Sequence, residues 1–132
     1  MDQIIDFISD TNSEAVMNIE INIKEITEIV ELMQSKAFIV RIIKLNESKA
    51  KLFDSFAHAF DFPYYFNNNW DSLVDCLTNE DMKVAEGYLV IIEKSQLLID
   101  NDEKTMLKVF HQICSRWKEI GIQFKFLIVD TD

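Results

Sequence analysis

The chain has 132 residues, 48% of them hydrophobic and ten of them phenylalanine: enough for one core, too little for two, and too apolar for intrinsic disorder. Two glycines and one proline exclude long flexible linkers, collagen-like repeats and glycine-rich phosphate loops. Twenty-three acids against thirteen bases give a net charge of −10, which repels phosphate backbones and anionic lipid, so the expected partner is a basic protein and neither nucleic acid nor membrane.

The acids are unevenly placed. Residues 1–36 hold eight acids and two bases, and the short stretch 61–86 holds six acids and one base. Two cysteines, Cys76 and Cys114, make no disulfide framework in a chain of this size. The start carries no basic segment ahead of an apolar run, and no apolar run reaches the ~18 residues a membrane helix needs. A reducing cytoplasm is the expected location.

In chain order, Ile4, Ile5, Phe7 and Ile8 suit a short amphipathic helical turn or two. Strict alternation over Asn18–Lys24 predicts a half-buried strand centred on Ile19–Ile23. Helical spacing of Ile26, Ile29, Val30 and Met33 predicts a helix over 24–35. The run Ala37–Ile43 reads as a strand, and Leu52, Phe53, Phe56, Ala57 and Phe60 mark a helix over 48–60, stopped before Pro63. Asn67, Asn68 and Asn69 suit a loop and a helix cap, with a helix following over 70–78. Gly87–Glu93 is the best fully buried strand. Asn101 is a cap for a long helix bearing Met106, Val109, Phe110, Ile113, Cys114 and Trp117 on one face, Gly121 suits its left-handed stop, and 122–129 is the last strand. Strands alternating with helical crossovers imply an α/β domain with a mainly parallel sheet of three strands, four if Ile19–Ile23 joins it.

The informative stretch is 62–79. On a helical wheel Trp70, Leu73 and Leu77 form one stripe with Cys76 at its margin, while Asp71, Asp75 and Thr78 face the other way with Val74 beside them. Like charges four residues apart cost a helix about 0.2–0.5 kcal/mol. Asp71 regains part of that from the positive end of the helix dipole, and Asp75, a turn further on, regains less. A local rule broken without local gain marks a place to look for function, although acids on a solvated helix face are commonplace.

With Pro63, Tyr65, Phe66, Asn68, Asn69, Asp71, Leu73, Asp75, Cys76, Leu77 and Thr78 in one ungapped block, the sequence resembles the barstar family, small intracellular inhibitors of secreted or delivered ribonucleases. The resemblance implies a barstar-like three-stranded parallel sheet flanked by helices over 37–132. Residues 1–36 have no counterpart in it and form an extension, able to add a strand and a helix, that would extend the sheet, cover its edge or widen the interface.

The resemblance also implies a bacterial immunity or antitoxin role, with no catalysis and no cofactor, in a protein that is a monomer when free. Its partner would be a basic nuclease, of the ribonuclease class, whose active site receives the loop and helix 70–78. Asp75 would then stand where a substrate phosphate lies, with Asp71 and Thr78 bonding alongside, Tyr65 packing at the loop tip and Asn69 adding polar contacts. The partner-binding set so implied is Tyr65, Asn69, Asp71, Val74, Asp75, Thr78, Glu80 and Gln112. Three of these depart from the family's best-known member, which has tryptophan at the places of Val74 and Glu80 and glutamate about where Gln112 falls. Losing two aromatic anchors and a charge argues against the same nuclease as target. Asn67 replaces a loop glycine, tolerable because asparagine visits left-handed conformations.

Other chemistries fare worse. His58 and His111 are more simply packed or surface histidines, and the pair His111–Cys114 lacks the third and fourth ligands zinc needs. Neither cysteine has a base and an oxyanion hole, so both read as small hydrophobes. Tyr64, Tyr65 and Phe66 would suit a nucleic-acid platform only in a basic groove. Asp71 and Asp75 could approach glycosidase spacing, but no aromatic-lined cleft accompanies them. The alternative to a nuclease inhibitor is an acidic regulatory or structural module for some other basic protein, or a mimic of DNA.

Overall fold

A computed structural model describes residues 2–10, 15–45, 48–79, 82, 85–94 and 100–130. In chain order the elements are α1 (Asp2–Ser9), β1 (Val16–Glu20), α2 (Ile23–Ser35), β2 (Phe38–Leu45), α3 (Lys49–Phe60), α4 (Trp70–Leu77), β3 (Gly87–Lys94), α5 (Asp100–Glu119) and β4 (Gln123–Asp130). The four strands form one sheet in the order β1-β4-β3-β2, and every neighbouring pair is parallel.

The nearly continuous apolar runs of β3 and β4 follow from that topology. Parallel strands need crossovers that place helices over both faces, so alternate residues are buried in opposite directions. Tyr88, Val90, Ile92, Phe124, Phe126 and Ile128 meet α3, α4 and α5 in one core layer. Leu89, Ile91, Leu127 and Val129 meet α1 and α2 in the other. Lys125 interrupts the β4 run; it is buried, with its ammonium 5.2 Å from the Phe7 ring centre. Gln123 Nε2 donates to the Ser9 carbonyl at 2.9 Å, tying the start of β4 to the end of α1.

The alternating run 18–24 is not all strand. β1 ends at Glu20, and α2 begins at Ile23 because Asn22 caps it, its side-chain oxygen accepting from the Glu25 amide at 2.9 Å. The alternation therefore straddles a strand end and a helix start, and Ile23 is left exposed. The strand lies further upstream, where Val16 to Glu20 pair with Phe126 to Asp130. Asn101 falls inside α5, which starts one residue earlier. Gly121 does take the left-handed conformation after α5, at φ 80. Asn67 does not; among the described residues the non-glycines with positive φ are Ala37 and Asp61. Asp61 is the C-cap of α3, its amide donating back to that helix, and there the chain turns toward the loop that leads into α4.

Candidate functional site: an acidic ridge on α4

The loop 61–69 is built from aromatics below and asparagines above. Phe62 and Phe66 pack on each other at 4.9 Å between ring centres, Phe60 stacks on Phe62 and Phe53 meets Phe66 edge to face. Asn68 Nδ2 donates to Asp54 Oδ1 at 3.2 Å, and the Asn67 amide donates to Ser72 Oγ at 3.0 Å. Asn69 caps α4: its Oδ1 accepts from the Ser72 amide at 2.8 Å, satisfying one of the backbone donors that a helix start leaves open. These bonds fix the loop against both α3 and α4.

Three contacts hold α4 down. Leu73 and Leu77 are fully buried, and Trp70, only partly buried, meets Phe53 edge to face at 4.8 Å. At the far end the Trp117 indole N–H donates to the Leu77 carbonyl at 2.7 Å. What remains outward is a ridge of Asp71 and Asp75, both exposed. Among the described residues neither aspartate has a hydrogen-bond or ion-pair partner, since the ion pairs there are Lys49–Asp102 and Lys94–Glu103.

Beside the ridge lies an open groove of about 390 Å³ whose lining includes Asp61, Tyr65, Asp75, Cys76 and Arg41. Arg41 is the one base among the described residues of that lining, and its guanidinium is engaged by backbone: Nε donates to Ala59 O and Nη1 to Val40 O, each at 3.0 Å. Burial, and next to it the charge of Asp75, push the Cys76 thiol up. Burial pushes Cys114 up to about 12. Both thiols therefore stay protonated at neutral pH, the opposite of what a nucleophile needs. Among the described residues no group of three or more His, Cys, Asp or Glu side chains is placed to hold a metal.

The residues singled out in the sequence are distributed as follows. Tyr65, Asn69, Asp71 and Asp75 are exposed on the loop and helix, and Thr78 is half-buried as the C-cap of α4, its hydroxyl donating to Val74 O at 2.6 Å. Val74 is a correction. It does not stand on the outward face but is 9% exposed and part of the core, because α4 lies against α5 as well as on α3 and its buried stripe is wider than Trp70, Leu73 and Leu77 define. Gln112 is exposed on α5. Glu80 lies outside the described residues. Sequence reasoning missed Asp61 and Arg41 as neighbours of Asp75; only the tertiary meeting of β2, the α3 end and α4 brings them together.

Fold and ridge together define an acidic α/β domain with a parallel sheet and, on a firmly seated helix, two carboxylates that no described residue pairs. The chain belongs to the barstar (barnase inhibitor) family, whose pattern it matches over residues 38–129. That span runs from β2 into β4 and leaves α1, β1 and α2 outside it. Comparison with curated proteins finds no match. Among the described residues no helix is long and apolar enough to cross a membrane.

Proposed function

We propose that this protein binds and blocks the active site of a basic ribonuclease, with α4 and the preceding loop offering carboxylates where RNA phosphates would lie. The observation that carries this reading is the ridge itself: Asp71 and Asp75, exposed one turn apart on α4 and claimed by no cation among the described residues. A ribonuclease site is a concave cationic pocket, so a rigid anionic ridge complements it without presenting a scissile bond, and opposite potentials speed the encounter. Family membership supports the choice of a ribonuclease over other basic proteins. Asp75 is the central contact on this reading, flanked by Asp71, Thr78, Tyr65 and Asn69.

Residues 1–36 act as an extension packed on the inhibitor domain of 37–132. Support comes from β1, which lengthens the sheet, and from α1 and α2, which bury apolar side chains against it.

The test is inhibition of RNA cleavage across a panel of basic microbial ribonucleases, barnase among them. The native chain should inhibit at least one, less tightly as salt rises. Asp75→Ala should weaken that inhibition by about 30-fold or more, the scale of an interface hot spot. The free variant should be no less stable, because a like-charge repulsion of about 0.2–0.5 kcal/mol disappears with the carboxylate. Unchanged affinity in both Asp71→Ala and Asp75→Ala would refute the assignment.

A further inference from the structure

We infer that Tyr64 is a second anchor of this interface, an aromatic face that receives an arginine or lysine side chain of the partner nuclease. The inference rests on the reading above, that α4 and its loop face a basic ribonuclease. Its starting point is local geometry. The Phe66 amide donates to the Pro63 carbonyl at 3.0 Å, closing a four-residue turn whose two central positions are Tyr64 and Tyr65. Phe62 and Phe66, packed on each other at the base of that turn, root it in the layer beneath α4. The two tyrosines are thus raised on a braced loop, 99% and 62% exposed. Their rings meet edge to face, 5.7 Å between centres at an interplanar angle of 78°.

Single exposed apolar residues are ordinary, so exposure alone decides nothing. What distinguishes this pair is its neighbourhood. Tight protein interfaces draw on a few aromatic or arginine anchors beside their charges; the one aromatic of α4, Trp70, is half-buried against Phe53, and the outward positions of that helix are Asp71 and Asp75. The exposed large hydrophobics among the described residues are Ile23, Ile42, Tyr64, Tyr65 and Ile120, and only the tyrosines stand on the loop leading into α4.

Charge then selects the occupant. Tyr65 lines the groove together with Asp61 and Asp75, and the cation among its described residues, Arg41, is turned to the carbonyls of Ala59 and Val40. A tyrosine face carries the negative side of the ring quadrupole and attracts a guanidinium or ammonium. Tyr64 meets that groove through the Tyr65 ring, so a cation on its face would lie at the border of a site bearing two carboxylates. Because the ring has few rotatable bonds and already rests on Tyr65, docking orders little that is not ordered beforehand.

The experiment uses whichever ribonuclease of the panel the native chain inhibits most strongly, and measures its affinity for Tyr64→Phe, Tyr64→Leu, Tyr64→Ala and Asp75→Ala. Tyr64→Ala and Tyr64→Leu should each weaken binding about tenfold, the effect of a desolvated cation–aromatic contact, while Tyr64→Phe stays within about threefold of the native value. Far-UV circular dichroism of all four should match the native chain. Unchanged affinity in Tyr64→Ala alongside a large loss in Asp75→Ala overturns the anchor and leaves the inhibitor reading standing. Leucine performing as well as phenylalanine, or phenylalanine as poorly as alanine, overturns the aromatic–cation contact. A native chain that inhibits none of the panel ends both.

Discussion

Trp117→Phe tests whether α5 is what holds the far end of the acidic helix. The indole N–H reaches the Leu77 carbonyl at 2.7 Å in a buried setting, and that carbonyl is one of those a helix end leaves without an intrahelical partner. Phenylalanine keeps an aromatic ring near Tyr88 and Phe124, whose centres lie 5.0 and 6.0 Å from that of Trp117, but it has no donor. A buried carbonyl left unsatisfied costs about 1–3 kcal/mol, and the smaller ring leaves space that adds about 1 kcal/mol. The expected loss is therefore about 2–4 kcal/mol in urea denaturation followed by far-UV circular dichroism. A lower melting point should accompany it, by roughly 3–5 °C per kcal/mol for a domain of this size. Hydrogen exchange at the end of α4 should quicken more than exchange in β3, because the lost bond acts locally. A loss below about 0.5 kcal/mol, within the range of a neutral surface change, would refute the claim that this bond seats α4.

Three further outcomes follow from the packing. A Cβ on Gly87 would lie 2.5 Å from two ring atoms of Phe38 on the neighbouring strand; Gly87→Ala should cost about 1–3 kcal/mol, and a double-mutant cycle with Phe38→Ala should recover part of it, absence of coupling counting against the close approach. Cys114, with its thiol pushed up to about 12 from 9.0 by burial, keeps its proton in the folded state at pH values where the unfolded chain releases it. Its contribution to stability is complete below about pH 9 and declines toward pH 12, by at most about 1.4 kcal/mol per pH unit. Lys125, pushed down by burial, works in the opposite sense, so the measurement is the difference between the native chain and Cys114→Ala across pH 8 to 11; a pH-independent difference would refute it. Removing residues 1–36 strips Ile4, Ile8, Ile26, Ile29 and Met33 from Leu89, Ile91, Leu127 and Val129. The shortened chain should lose cooperative melting, whereas a melting point within a few degrees of the full chain would show that face to be dispensable.

Most of the fold was legible because the signals were local. Apolar runs in β3 and β4 and the 3.6-residue stripe of α5 each needed only a short window of sequence. A cap for α4 within Asn67–Asn69, which the structure gives to Asn69, and Gly121 as the stop after α5 were legible for the same reason. The errors arose where two elements compete for one pattern or where a distant element decides. Ile19, Ile21 and Ile23 alternate like a strand, yet Asn22 ends the extended run by capping α2, and the pairing that places β1 lies at the other end of the chain. Val74 reads as outward on an isolated wheel, yet it belongs to the core layer in which α4 packs beside α5. The exposed pair Asp71 and Asp75 was visible in the spacing, but the groove joining Asp75 to Asp61 and Arg41 was not, since three elements must meet to form it.

The strand order has a consequence for assembly during synthesis. β1 emerges early from a ribosome, but its hydrogen-bonding partner is β4, so its backbone groups stay unpaired while the intervening chain is made. β2 can dock with β3 sooner, giving a two-strand nucleus to which the last strand and then the first are added. Until then Ile4, Ile8, Ile26 and Ile29, all buried when folding is complete, have no finished sheet to cover. Late-closing, long-range parallel pairing of this kind slows folding and prolongs exposure to aggregation, so a newly made molecule passes through a sticky, unfinished stage before it becomes competent.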